Sequence, residues 1–212
     1  MRLHYHPTSP YSRKAAVAIR LRGDDDIELH VVDVTTGAHK QPAFLALSPF
    51  GKLPALERPG EAALFESTSI VEFLEARGPR RLLPEDPEAR RHARHWDRLG
   101  DLYLLEPQGQ LFFVHAPDVQ AAARATAERA LALVDAELAD GRPFLGGDAF
   151  GLADLSPAIG ATQLDALEIP LPDAVAAWME RCHDLPAMRE ERAAGRPLTE
   201  ALLARRRAAL GG

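Results

Sequence analysis

The chain has 212 residues, 46% of them hydrophobic, enough for one large domain or two modest ones around a packed core. Its 25 basic and 31 acidic residues leave a net charge of −6, which offers no broad attraction for nucleic acid or an acidic membrane. One cysteine, Cys182, excludes an intrachain disulfide and a cysteine-built zinc cage, and fits a reducing, cytoplasmic setting. The N-terminal MRLHYHPTSPYSRK lacks the apolar core of a signal peptide. No apolar run reaches the roughly 18 residues that a bilayer span needs, so a soluble chain is expected.

In chain order, Arg2 to Tyr5 and Glu28 to Asp33 read as short strands with a helix, Lys14 to Arg22, between them, which makes a β-α-β unit. A second short helix is expected at Gln41 to Leu47. Two further strands, Ala55 to Glu57 and Ala62 to Leu64, flank the turn Arg58-Pro59-Gly60-Glu61 and read as a hairpin. Ser67 to Ala76 carries Ile70, Val71, Phe73 and Leu74 on one helical stripe, which Gly78-Pro79 ends. Residues 78–87, GPRRLLPEDP, have the composition of a surface linker, dividing the chain into residues 1–77 and 88–212. Beyond the linker almost nothing reads as strand. Ala- and Leu-rich stretches such as Asp118 to Asp140 predict a helical bundle. Pro107-Gln108-Gly109 is expected to interrupt or kink one of its helices. The tail LLARRRAALGG is either a last helix with a basic face or a frayed end.

Three groups of polar residues stand at separations that packing alone does not require. In Thr8-Ser9-Pro10-Tyr11-Ser12-Arg13, Ser9 suits the N-cap and Pro10 the first helical position of a helix that follows a strand. The free amides and dipole of that helix end favour an anion such as a thiolate, to which a hydroxyl there can donate. Ser9 and Ser12, about one turn on, both offer such a hydroxyl, and Tyr5 and Tyr11 lie in the same stretch. The second group is Leu53-Pro54. A proline entering a strand cannot donate to the ladder, while Leu53 keeps both backbone groups. The third is Glu66-Ser67 at the start of a helix, where the hydroxyl and free amides suit a carboxylate and Glu66 an ammonium. His39, Lys40 and Lys52 add positive charge for a second carboxylate. Taken singly, these residues also fit plain capping and solvated loops; together they suit one small zwitterionic ligand. His92, His95 and His115 lack a convincing metal spacing, so no metal is expected.

The stretch VDVTTGAHKQPAFLALSPFGKLPALERPGEAALFESTS, residues 32–69, together with the Ser9 motif, resembles the glutathione transferases, above all the phi-like and bacterial serine-type members. The Ser9 motif is also similar to the Cys-Pro-Tyr-Cys site of glutaredoxins with both cysteines replaced by serine, which excludes thiol–disulfide exchange through it. The resemblance implies a thioredoxin-like α/β domain followed by an all-α domain, usually in a homodimer. It implies glutathione as co-substrate, with no prosthetic group. Ser9 would stabilise the glutathione thiolate, with Ser12 as the fallback and Tyr5 and Tyr11 as weaker rivals, and Leu53, before a cis Pro54, would pair with the cysteinyl backbone. Glu66 and Ser67 would hold the γ-glutamyl end, and His39, Lys40 and Lys52 the glycyl carboxylate. The thiol would attack an apolar electrophile held by Tyr11 and by Tyr103, Phe112 and Phe113, the last three drawn from an aromatic stretch that also contains Trp96, Leu104, Leu105 and Leu111 and otherwise reads as core. Two residues depart from the phi pattern: Lys52 stands for glutamine and Thr68 for arginine. In the helical half, Phe150-Gly151-Leu152-Ala153-Asp154 resembles the family's Ser/Thr-x-x-Asp capping box with glycine at the N-cap, a folding element. A binding or scaffold protein of this fold with little turnover, and a transferase for another low-molecular-weight thiol, are the alternatives.

Overall fold

Each half of the chain builds its own layer structure, and the computed structural model, which describes residues 1–78 and 82–210, divides into Met1–Arg81 and Leu82–Gly212. Residues 79–81 of the expected linker and Gly211-Gly212 of the tail lie outside the described residues.

In the first unit β1 (Arg2–Tyr5) runs parallel to β2 (Glu28–Val31), and α1 (Pro10–Arg22) joins them. β3 (Ala55–Glu57) lies antiparallel on the other side of β1, and β4 (Leu64–Phe65) closes the sheet in the order β2-β1-β3-β4. Period-two alternation sends Leu3 and Tyr5 to one face, where they are buried, as are Ala15, Ala16, Ile19, Ile70, Val71 and Leu74 of α1 and α3 (Ser67–Glu75). Val32, Phe44 of α2 (Pro42–Leu45) and Ala55 form a smaller core with Ala38, Leu47 and Leu53.

The helices expected at Lys14 to Arg22 and Gln41 to Leu47 are Pro10–Arg22 and Pro42–Leu45, and two expected strands also shift. The strand expected at Ala62 to Leu64 is Leu64–Phe65, because the Arg58 guanidinium donates twice to the Ala62 carbonyl, at 3.0 and 2.6 Å, and holds Ala62 in the turn. β2 stops at Val31 because Asp33 caps a 3-10 turn at Val34–Thr36, accepting from the Thr35 amide at 2.9 Å.

The second unit is helical: α4 (Pro87–Gly100), α5 (Glu106–Phe113), α6 (Pro117–Glu137), α7 (Leu152–Ala166), α8 (Asp173–Asp184) and α9 (Pro186–Leu210). Its only pairing of strand type among the described residues is an isolated bridge, Phe144 with Gly147. Pro107 does not break the helix it sits in. The irregularity comes just before it, in a π-helical turn at Asp101–Leu105 that connects α4 to α5. A wider turn accommodates a proline that has no N–H to return to the carbonyl four residues back. α4 and its π turn lie close on α7 through two glycines: a Cβ on Gly100 would stand 2.6 Å from Ser156 Cβ, and one on Gly160 2.6 Å from Leu104 Cβ. No helix among the described residues is long and apolar enough to cross a membrane.

Candidate functional site

Ser9 has extended backbone angles, φ −77° and ψ 117°, and Pro10 follows it as the first residue of α1. The Ser9 hydroxyl oxygen accepts from the Ser12 amide at 3.3 Å, which uses a lone pair and leaves its proton available. Ser12, the fallback, is fully buried, and its hydroxyl has no hydrogen-bond partner among the described residues. Tyr11 is half-buried in the first turn of α1, and Tyr5 is buried in β1.

The loop before Ser9 is ordered by His6, which is not among the candidates drawn from the sequence. Its Nδ1 accepts from the Thr8 amide at 3.3 Å and lies 2.7 Å from the Thr8 hydroxyl, while its carbonyl accepts from the Ser9 amide at 3.0 Å. Burial pushes the His6 imidazole pKa below its usual 6.5, opposed by the nearby Asp33 carboxylate. The lowered pKa favours the neutral ring, and the Thr8 amide aimed at Nδ1 requires that nitrogen as the acceptor. The only sequence signal for this role was a histidine two residues before a threonine in a strand-to-helix turn.

Leu53-Pro54 is a cis peptide, and β3 begins only at Ala55. The Leu53 amide and carbonyl join no backbone hydrogen bond among the described residues. Glu66 holds φ at 73°, a left-handed value that costs a non-glycine residue about 1–3 kcal/mol and recurs at ligand clamps. It is exposed at the N-cap of α3, and no side chain caps that helix end. Ser67 beside it is buried. Thr68, where the phi pattern has arginine, accepts a hydrogen bond at 2.8 Å from the ammonium of Lys14, which is itself fully buried.

The 3-10 turn Ala38–Lys40 brings His39 to the Ser48–Lys52 turn. A Cβ on Gly51, whose φ is 62°, would stand 2.9 Å from the His39 carbonyl, so only glycine fits there. The Lys52 amide donates to the Ser48 hydroxyl at 3.3 Å. His39 Nδ1 is buried and without a partner among the described residues, while Lys40 and Lys52 are exposed. Lys52 thereby follows directly on a residue, Gly51, that approaches the His39 carbonyl, thirteen residues before Lys52 in the chain.

In the second unit Phe112 is buried, and its ring centroid lies 6.0 Å from that of Phe113, which is 67% exposed. Tyr103 is half-exposed in the π-helical turn, whereas Leu104 and Leu105 after it are buried. Cys182 is buried, and burial pushes its thiol pKa well up, so it is no ready nucleophile. Among the described residues no group of three or more histidines, cysteines or carboxylates could hold a metal ion.

A serine-capped helix after β1, a cis proline before β3 and a left-handed Glu66 at the start of α3 mark a thioredoxin-like unit, followed by a helical unit. The family profile described as "Glutathione S-transferase, N-terminal domain" matches residues 8–77. Glutathione S-transferase 3 of Zea mays is 32% identical over 212 residues, covering 92% of this chain and 94% of that protein. The chain belongs to the glutathione S-transferase family. Among solved structures it is similar to glutathione transferase F7 of Populus trichocarpa, with a TM-score of 0.77, 25% identity, and 92% and 98% of the two chains covered. Gtt2 of Saccharomyces cerevisiae shares the fold, with a TM-score of 0.81 at 23% identity over 90% of this chain and 100% of that one.

Proposed function

We propose that in this glutathione transferase Ser9 donates a hydrogen bond to the thiolate of bound glutathione, whose sulfur then attacks an electrophilic carbon of an apolar substrate. The observation that carries the assignment is the Ser9 hydroxyl: it sits at the N-terminus of α1, its oxygen receives the Ser12 amide, and its proton is unused. The dipole and free amides of the helix favour the charge, and the hydroxyl stabilises it further. Ser12 is buried and is assigned no direct part. Buried Cys182 leaves glutathione to supply the sulfur.

The glutathione backbone is assigned to the Leu53 amide and carbonyl, whose lack of a ladder partner supports an added-strand pairing at Leu53-Pro54. Glu66 and Ser67, with the uncapped amides of α3, take the γ-glutamyl end. His39, Lys40 and Lys52 are assigned the glycyl carboxylate, which the close approach of Gly51, next to Lys52, to the His39 carbonyl supports. We assign the electrophile's apolar part to Tyr103, Phe112 and Phe113. Residues 1–77 are the thiol side, 88–212 the electrophile side, and 78–87 the linker. A phi-like homodimer in the cytoplasm is the assembly and setting that this reading carries.

Kinetics of Ser9→Ala and Ser12→Ala test the assignment. A hydrogen bond to a charged group contributes about 1.5–3 kcal/mol, so Ser9→Ala should lower kcat/KM by about ten- to hundredfold, with glutathione affinity largely kept. Ser12→Ala should stay near wild type in turnover. Equal turnover in Ser9→Ala and wild type would remove Ser9 from the mechanism.

A further inference from the structure

The basic run Arg205-Arg206-Arg207 near the end of α9 has no part in the chemistry above. Arg205 and Arg207 are exposed, but Arg206 is half-buried and reaches back across the chain. Its Nε donates to the Leu111 carbonyl at 2.8 Å, and its second terminal nitrogen to Gln120 Oε1 at 3.1 Å. Gln120, in the first turns of α6, donates through Nε2 to the carbonyls of Gln110 at 3.3 Å and Leu111 at 3.2 Å, and to that of Val114.

These carbonyls belong to the last turn of α5 and the residue after it. Val114 leaves the helix at φ −111° and ψ 117°, so the Leu111 carbonyl loses the amide that a continuing helix would supply. Gln120 and Arg206 replace that donor, and a guanidinium at a helix C-terminus is further favoured by the helix dipole. α9 thus caps α5 from 95 residues away. The turn it fixes is the one that carries Phe112 and Phe113.

We propose that Arg206 is a positioning residue for the electrophile: through the Leu111 carbonyl it sets the last turn of α5, and so the wall made by Phe112 and Phe113, for substrates whose apolar group extends beyond the reacting carbon. This rests on the assignment of Phe112 and Phe113 to the electrophile. Removing the latch lets the turn fray and weakens binding of an extended apolar group. The thiol end of glutathione is untouched.

The test is binding of S-methylglutathione and S-hexylglutathione, whose heads are the same and whose alkyl tails differ, to wild type, Arg206→Gln, Arg206→Lys and Phe113→Ala. The ratio of the two Kd values isolates the tail. Arg206→Gln should cut the preference for the hexyl tail by about tenfold, the share of a charge-assisted bond that a displaced wall would lose. Arg206→Lys, which keeps the charge but not the two-bond fork, should fall between it and wild type, and serves as the second variant should Arg206→Gln fold poorly. S-methylglutathione should bind all four alike. A lower melting temperature with an unchanged ratio in both Arg206 variants, while Phe113→Ala lowers it, overturns the latch as a positioning device. Equal weakening of both ligands overturns it too. If Phe113→Ala leaves the ratio unchanged, the aromatic wall is misassigned and the proposal falls with that assignment.

Discussion

At the scale of single residues, His6 and Ser9 form one small unit. His6 Nδ1 works as an acceptor for the Thr8 amide, and protonating it would set two N–H donors against each other. Because burial lowers its folded pKa below 6.5, the unfolded chain takes up the proton first as the pH falls. The stabilisation from His6 is thus complete above about pH 6.5, declines as the pH drops toward the lowered folded value, and is gone below it. His6→Asn keeps an acceptor oxygen close to the Nδ1 position and cannot titrate. Between about pH 7 and pH 5 the wild-type melting temperature should fall relative to that of His6→Asn. Parallel curves for the two proteins would show that the imidazole does not hold this loop. Ser9 was already preferred to Ser12 on the sequence, and the structure adds that Ser12 is buried while Ser9 caps α1. The sequence spaced them a turn apart on a helix it could predict, but which of them is buried depends on packing that no local pattern encodes.

At the scale of elements, the capping box of α7 shows a local rule overridden by a neighbour. Serine or threonine is the better N-cap by a few tenths of a kcal/mol over glycine. A Cβ on Gly151 would, however, stand 2.7 Å from the Leu82 carbonyl, the same carbonyl that accepts the Leu152 amide at 2.8 Å. Overpacking of that kind costs about 1–3 kcal/mol, so the steric term wins. Gly151→Ser should lower stability in chemical denaturation despite supplying the family's usual hydroxyl, and a gain in stability would refute the steric account. Asp154 completes the box from its own side, accepting the Gly151 amide at 3.0 Å, the Leu145 amide at 2.8 Å and the Trp178 indole at 2.9 Å, with burial raising its pKa to about 6. The sequence identified Gly151 as a tolerated substitute; the reason it is glycine lies in a carbonyl 69 residues away. The same limit explains the fourth strand. Composition placed it at Ala62, while a side chain, Arg58, set its start at Leu64 by taking the Ala62 carbonyl.

At the scale of the whole molecule, the order of an α/β unit and then a helical unit was legible, because strand-like patterns alternate with helical ones in the first half and almost none follow the linker. Family membership was legible in residues 32–69, where most of the candidate ligand-binding side chains sit close together in sequence. What sequence could not supply was long-range: the Lys14 contact that meets Thr68, the left-handed Glu66, and the Arg206 latch on α5 all depend on residues brought together by folding. The central claim is that the protein activates a thiol it does not own, through Ser9. Ultraviolet titration of the glutathione thiol bound to wild type, Ser9→Ala and Ser12→Ala tests it most directly. The wild type and Ser12→Ala should hold the thiol pKa clearly below the usual value of about 8.5, and Ser9→Ala should return it toward that value. Tight binding with no lowered pKa in the wild type, or the same lowering in Ser9→Ala, would contradict the mechanism and leave a glutathione-binding protein of this fold.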